Sequence, residues 1–535
     1  MSKRSPIGPA RYRRAASGSL YRLIYPLLIW AFAMSGSATP GRAAESDAAE
    51  VVVKVRRFCD NLVEHARDRY GSEHTPLFVC QLDVATRQLP PSDSKLYASS
   101  GRGGAGPRMN NLQFDGGLLR LLYAMSDVTG DAKYADAADE YLRHYLESLP
   151  DEETGFFPWG DHRGYDVVAD ESIRAVHEFK CTYPPWDAMY RINPEAVTRQ
   201  IESLRRHIVD LERSWGFNRH HPPGSLPHSM NSSGGAWIAA WAFLHTKTGD
   251  ERYLDWAVQM ADYLWSVRNP KTDLIAAHPF DPAYPEMKQS ERAMARAGRT
   301  EYMGQITWFA ANLLRVAELL GPEKGKKFRE QGLAYYRAFT RRMDVKPDGS
   351  FYATFDLATG NSLFPRVADG WQYTRQIGQP HGWSNGVVPI RALFSLGFAY
   401  KLTGEEDLRE TLDKLIPLAE LEKFRDPDGP PEPIAAGLLA QVIVGFLNAY
   451  QGSGNREYLD RAWLLSRYAL AHFYYDGWFV CGVPTVGRYR DPDVNVWRTY
   501  SNRGGSDDLA LAVLRMHLVR DGKSDVAVDD VGCYF

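Results

Sequence analysis

His162, Glu178 and His220 bring together two imidazoles and a carboxylate in a short stretch of chain, each in a setting unusual for its type. His162 lies in a Gly-flanked aromatic loop, GFFPWGDHRGYD. Glu178 falls in ESIRAVHEFK, which reads as a helix ended by Pro184-Pro185, and His220 sits in FNRHH, a loop after the helix begun by Asn193-Pro194. Two nitrogen donors and one oxygen donor suit Mn²⁺, Fe²⁺, Ni²⁺ or Zn²⁺, with positions left open for water or substrate oxygens. Histidines at loop ends also serve simply as hydrogen-bonded scaffold, and spacing alone does not bring the three together. His177 stands beside Glu178 on the expected helix, so it points elsewhere and is read as a core or supporting hydrogen-bond group. His207 precedes Ile208 in the apolar series Val197, Ile201, Leu204, Ile208 and Leu211, which makes helix packing the alternative to a cleft role.

The elements that must position these residues are helical hairpins. An apolar helix, a turn with Gly and an acidic or small residue, and a second amphipathic helix recur around Thr129-Gly130-Asp131, Thr248-Gly249-Asp250, Gly321-Pro322, Thr403-Gly404-Glu405 and Ser453-Gly454-Asn455. Glycine suits the left-handed position that ends one helix, and Asp, Asn or Glu helps begin the next. Hairpins sharing a core must stack, and irregular Trp-, Pro- and Gly-rich insertions at 155–166, 215–235, 275–305, 361–386 and 474–506 favour a closed ring over a regular solenoid. The expected fold is therefore all-α, an (α/α) toroid with long rim loops. Small β-hairpins are expected at Gly349 to Phe355 and Gly477 to Val483. Asn231-Ser232-Ser233-Gly234-Gly235 is expected to cap the helix beginning near Trp237.

Residues 1–43 place six Lys/Arg ahead of the apolar run Leu23 to Met34, with Ala38 and Ala43 as cleavage points. That order is a secretory signal, and the run is too short to span a bilayer. The remainder, 44–535, is expected to be a single exported domain, periplasmic or extracellular, without a membrane anchor and monomeric. Removing the signal takes seven Lys/Arg and no Asp/Glu from totals of 63 and 66, moving the net charge from −3 to −10. Nucleic acid is thereby excluded as a partner. An anionic substrate would need a local basic or metal-lined cleft. The five cysteines show no close-spaced ligand motif; a Cys59–Cys80 disulfide and buried free thiols are both compatible with export. Trp and Tyr, 14 and 29 in number, supply packing groups and, in a cleft, platforms for sugar rings.

The run HEFK (177–180), YPPWDAMYRINPEAVTR (183–199), RRHIVD (205–210) and FNRHH (217–221), with WGDH at 159–162, resembles the pectate lyases of polysaccharide lyase family 2. The interval from His162 to Glu178 is shorter than in that family. The resemblance implies an (α/α)7 toroid, a divalent ion, manganese by preference, on His162, Glu178 and His220, and Arg219 as catalytic base. Proton removal by Lys180 or His221, with Arg219 clamping carboxylate, is the alternative. Arg163, His207, His221, Arg375 and His381 are the candidate contacts to an acidic polysaccharide substrate. Cleaving a 4-linked uronate by β-elimination removes the C5 proton beside a carboxylate that is already charged, so a cation must offset the accumulating negative charge. Two rivals remain: a hydrolase using Asp115 with Asp166 or Asp170, which would need no metal, and a noncatalytic carbohydrate-binding protein.

Overall fold

In the computed structural model, residues 41–91, 106–160, 162–173, 176–301, 303–366, 388–419, 434–482 and 498–523 are described. After α1 (Gly41–Asn61) come the pairs α2/α3 (Leu112–Thr129, Lys133–Ser148), α4/α5 (Trp186–Ile192, Pro194–Ser203) and α6/α7 (Asn231–Thr248, Glu251–Ser266). The short α8 (Glu291–Ala297) precedes α9/α10 (Ala311–Lys324, Lys326–Met343), α11/α12 (Val388–Thr403, Glu406–Ala419), α13/α14 (Ala436–Ser453, Arg456–His472) and the single α15 (Ser506–Arg520).

Two kinds of helix make up this list. In α6 every residue from Asn231 to His245 is buried, and in α15 every residue from Ser506 to Val519. Helices buried all round lie inside, covered on both sides. α7 instead buries a stripe, Tyr253, Ala257, Met260, Ala261 and Leu264, and leaves its other face polar. Such a helix covers an inner one from outside. The inner helices close a ring: α6 packs on α9, α9 on α11, α11 on α13, α13 on α15 and α15 on α2, with α5 packed on α6 and α4 on α3 filling the remaining sector. The protein is an all-α toroid, and the six described pairs with α15 give seven sectors around it.

All five expected hairpin turns form. Gly130, Gly249, Gly321, Gly404 and Gly454 have φ between 67° and 73°, and a Cβ would find open space at each, so backbone conformation alone requires glycine there. Asp250 and Asn455 then cap the outgoing helices, accepting from the backbone N–H of Arg252 and Glu457. With the tight turns at one end of the ring, the connections from each outer helix to the next inner one must run at the other.

Short strands tie these connections together. β1 (Gln81–Asp83) pairs antiparallel with β9 (Thr499–Ser501), joining the two ends of the fold, and β2 (Met109–Asn110), β3 (Gly164–Asp166) and β4 (Glu171–Ile173) make a three-stranded sheet. β5 (Arg299–Glu301) pairs with β6 (Thr354–Asp356), so the segment expected as a local hairpin at Gly349 to Phe355 pairs instead with a distant insertion. β7 (Tyr474–Tyr475) and β8 (Trp478–Phe479) form the second rim hairpin, beginning slightly earlier than expected. Phe58 of α1 packs edge-on against Trp478 and Phe479 at 6.0 and 5.3 Å. Cys59 and Cys80 are buried free thiols, so the two are not joined; Cys181 and Cys481 are buried as well, and Cys533 lies outside the described residues. Among the described residues no helix is long and apolar enough to cross a membrane. The stretch read as a signal sequence, apart from residues 41–43, lies outside the described residues.

Candidate metal and active site

At the insertion end of the ring, four segments meet over Glu178. The first is the loop after α3. Asn111, which caps α2 through the Gln113 N–H, donates from Nδ2 to the carbonyls of Gly160 and Arg163, each at 2.8 Å, and so pins the loop carrying His162. Gly160 has φ of 108°, and a Cβ there would lie 2.6 Å from the Glu178 carbonyl and 2.9 Å from its Cβ. Only glycine allows this approach.

The second segment carries Glu178 itself, and it is extended rather than helical. β4 precedes it, His177 exchanges backbone hydrogen bonds with His221 at 3.2 and 3.0 Å, and the Glu178 N–H donates to Trp159 O at 3.3 Å. His177 and Glu178 still point to opposite sides, but because strand neighbours alternate. The third segment, Phe217 to Met230, brings Arg219, His220 and His228; the fourth, after α7, brings His278 and Arg296.

One ligand atom from each of His162, Glu178 and His220 lies within 4.8 Å of the others. His162 Nε2 is 3.9 Å from Glu178 Oε2, and His220 Nε2 is 3.5 Å from Oε1. The shorter interval before Glu178 does not keep His162 out. Glu178 is fully buried; its Oε1 accepts from Lys180 Nζ at 2.8 Å and from Arg219 at 2.6 Å, whereas Oε2 and His220 Nε2 are buried without hydrogen-bond partners. Burial alone would raise the Glu178 carboxyl, but Lys180, His220 and Arg219 outweigh it and hold it well below the ordinary carboxylate range. Buried polar atoms left unpaired are costly, and an anion flanked by two imidazoles is a donor set suited to a divalent cation. Lys180 is 3% exposed and Arg219 19%, so of the two cations Arg219 is the one that reaches solvent.

Behind the trio lies a buried chain whose protons are fixed by its ends. The Asn218 carbonyl can only accept, so His207 Nδ1 carries a proton toward it at 2.8 Å and leaves Nε2 bare. His177 Nδ1 must then donate to His207 Nε2 at 2.9 Å, its own Nε2 faces the Gln200 amide at 3.3 Å, and Gln200 Oε1 accepts from Phe157 N–H at 2.7 Å. Phe156 stacks on His177 with centroids 4.0 Å apart. Burial keeps both rings neutral, His207 at about 3 and His177 well below its usual value. His207 is therefore a buried joint that ties α5's end to the Arg219 loop, and not a surface that substrate reaches; the helix holding Val197 and Ile201 ends at Ser203, and Leu211 is 45% exposed. His221 and Arg163 are partly exposed next to this chain. Arg375 and His381 lie outside the described residues.

The hydrolase carboxylates are engaged elsewhere. Asp115 is fully buried, accepting from Tyr141 at 2.6 Å, from Asn110 at 2.7 Å and from Asn502; Asp166 pairs with Arg108, and Asp170 takes up Ser72 at the surface. Asn231 does not cap α6 but begins it, with Nδ2 donating to Ala276 O at 3.2 Å.

Residues 94–278 match the family model described as periplasmic pectate lyase. The resemblance read over residues 155–235 is shown, and the match takes in all five residues of the charged cluster, His162, Glu178, Lys180, Arg219 and His220. A pectate disaccharide-lyase of Dickeya dadantii (strain 3937) is 23% identical over 422 residues, 68% of this chain and 74% of that protein. Among solved structures, the chain is similar to an unsaturated glucuronyl hydrolase from Bacillus sp. GL1 (16% identity, 90% of this chain and 97% of that one, TM-score 0.41). It is similar also to a GH76 alpha-mannanase from Bacteroides thetaiotaomicron (10% identity, 91% and 100%, TM-score 0.45). Beyond the residues that carry the pectate lyase motif, His228, His278 and Arg296 were not legible in sequence. His228 shares a loop with His220, a hint by spacing; His278 and Arg296 arrive from an insertion with no motif.

Proposed function

We propose that this protein is a metal-dependent lyase that cleaves 4-linked polygalacturonate, or a closely related uronate polymer, by β-elimination in the periplasm or outside the cell. The observation that carries the reading is the convergence of His162, Glu178 and His220, with two buried donor atoms unpaired, beside Arg219 and inside the stretch that matches the pectate lyase model. Those three residues would hold the ion, manganese by preference. The chemistry it supplies is positive charge against a substrate carboxylate that gains electron density as C5 loses its proton.

The protein's own groups divide the remaining work. Arg219 takes the C5 proton; the C5–H electron pair becomes the C4=C5 double bond, the C4–O4 bond breaks, and O4 leaves with its electron pair and gains a proton from solvent. Lys180, closed off from the cleft, holds Glu178 in place and leaves proton transfer to Arg219. Arginine is ordinarily always protonated, so this assignment carries a signature: turnover that climbs into the alkaline range. Full activity of Arg219→Lys with an unshifted pH–rate profile would count against Arg219 as base.

Incubation of the full chain with polygalacturonate and Mn²⁺, following ultraviolet absorbance with and without chelator, tests the whole reading. An unsaturated uronate that absorbs and is lost on chelation is expected. Cleavage without absorbance would point to hydrolysis, and absorbance indifferent to chelator would remove the metal.

A further inference from the structure

The trio continues on one side into a second group that neither the motif nor the proposed reaction uses. The His220 and His228 rings lie 5.9 Å apart, and His228 stacks on His278 at 5.0 Å with 20° between planes. His278 Nδ1 donates to the Ser229 carbonyl at 3.0 Å, which fixes that ring. Arg296, on the rim helix α8, donates from its guanidinium to His228 Nε2 at 3.2 Å, so the His228 proton sits on Nδ1. His228 Nε2 can only accept from a guanidinium, so the nitrogen facing Arg296 carries no proton. A stacked pair, one ring fixed by a backbone carbonyl and the other accepting from Arg296, makes a rigid seat that orients the guanidinium. The planar fork of arginine matches a carboxylate in a way that lysine cannot.

Resting on the lyase reading for its substrate class, we infer that Arg296, seated on the His228–His278 stack, binds the carboxylate of the uronate residue adjoining the one that is cleaved. In a 4-linked uronate polymer every sugar brings such a group, so a single cation one ring beyond the trio selects unesterified chain over its methyl ester. Arg296 is partly exposed, as a substrate contact must be, while His228 and His278 act through it and are positioning residues.

The test compares trigalacturonate with its methyl-esterified form by calorimetric binding to the full chain in chelator, where no turnover intervenes. Wild type is expected to prefer the acid. Arg296→Gln should weaken acid binding about tenfold or more, the worth of a charge-assisted hydrogen bond, and leave the ester unchanged. Arg296→Lys should retain part of the preference, and Mn²⁺ titration of both variants should match wild type. Equal loss of acid and ester, an undiminished acid preference in Arg296→Gln, or no preference in wild type would each overturn the inference. Ultraviolet assays of wild type on polygalacturonate separate the two readings. Product formation without an Arg296-dependent preference sinks this inference alone, and an Arg296-dependent preference without unsaturated product sinks the lyase alone.

Discussion

Replacing Glu178 by Gln keeps shape and one acceptor but removes the charge on which the site is centred, and the structure says how the consequences divide. Lys180 lies 2.8 Å away at 3% exposure, so its ammonium would stay buried without the carboxylate it pairs with here, a loss of about 3 kcal/mol. Arg219, at 2.6 Å but 19% exposed, can turn to water and adds less than about 1 kcal/mol. Because its neighbours hold Glu178 well below the ordinary carboxylate value, this stabilisation is complete above about pH 4.5 and disappears as acidification reaches the depressed value. Urea denaturation in chelator should show the single variant about 3 kcal/mol less stable at pH 7. Adding Lys180→Met removes the buried cation as well and should recover about 2 kcal/mol, since a buried pair replaced by apolar or neutral groups is often near neutral. Metal binding should part company with stability. Calorimetric Mn²⁺ titration should find both variants weaker by at least about a hundredfold, because changes to groups behind a ligand already cost 10–100-fold. Wild-type Mn²⁺ affinity in Glu178→Gln, or recovery of that affinity in the double variant, would refute the reasoning.

Three other outcomes follow from the same geometry. His207→Phe strands the His177 Nδ1–H and the Asn218 carbonyl, each costing about 1–3 kcal/mol, and should loosen Mn²⁺ binding while leaving the ligands themselves intact; unchanged affinity would show that the relay does not position His220. Gly160→Ala puts a Cβ 2.6 Å from the Glu178 carbonyl and should reduce activity and Mn²⁺ affinity together, whereas Gly249→Ala, with open space around it, should cost about 1 kcal/mol of stability and no activity. Burial raises Asp115 from 3.8 to about 7, so the folded protein holds a proton that the unfolded chain has released and stability falls as pH rises across that interval. Asp115→Asn should make that fall shallower in denaturation curves collected from pH 4 to 7, and an unaltered slope would count against the shift.

The hairpin turns were legible because their cause is local: a left-handed residue must be glycine wherever the chain goes next, as at Gly130 or Gly454. Glu178, Arg219 and His220 were legible through a motif, and the segment around Glu178 was not, for a physical reason. Ile173, Val176 and Phe179 repeat at a helical interval, yet the backbone partner that decides the conformation, His221, is remote in sequence. Long-range pairing overrode the local pattern. The same limit hid His278 and Arg296, whose significance depends wholly on which loop the insertion after α7 meets, and it made His207 look like a candidate for the cleft when tertiary contacts close over it.

Seven histidines, 162, 177, 207, 220, 221, 228 and 278, gather in this one region, and residue type says nothing about which of them does chemistry. Their partners separate them. His177 and His207 spend both ring nitrogens on a chain that ends at a backbone carbonyl, so neither has a lone pair to give a cation. His278 gives its Nδ1 proton to a carbonyl and His228 receives Arg296, which leaves them seats for a guanidinium. His220 alone of these keeps a buried, unpartnered Nε2, and it does so 3.5 Å from a carboxylate whose second oxygen is likewise unpartnered. A protein that had only to be stable would not leave these two atoms together unpaired. The neutral relay behind them is what makes leaving them possible, because it fixes the Arg219-His220 loop without adding charge to a site that already sets Lys180 and Arg219 against Glu178.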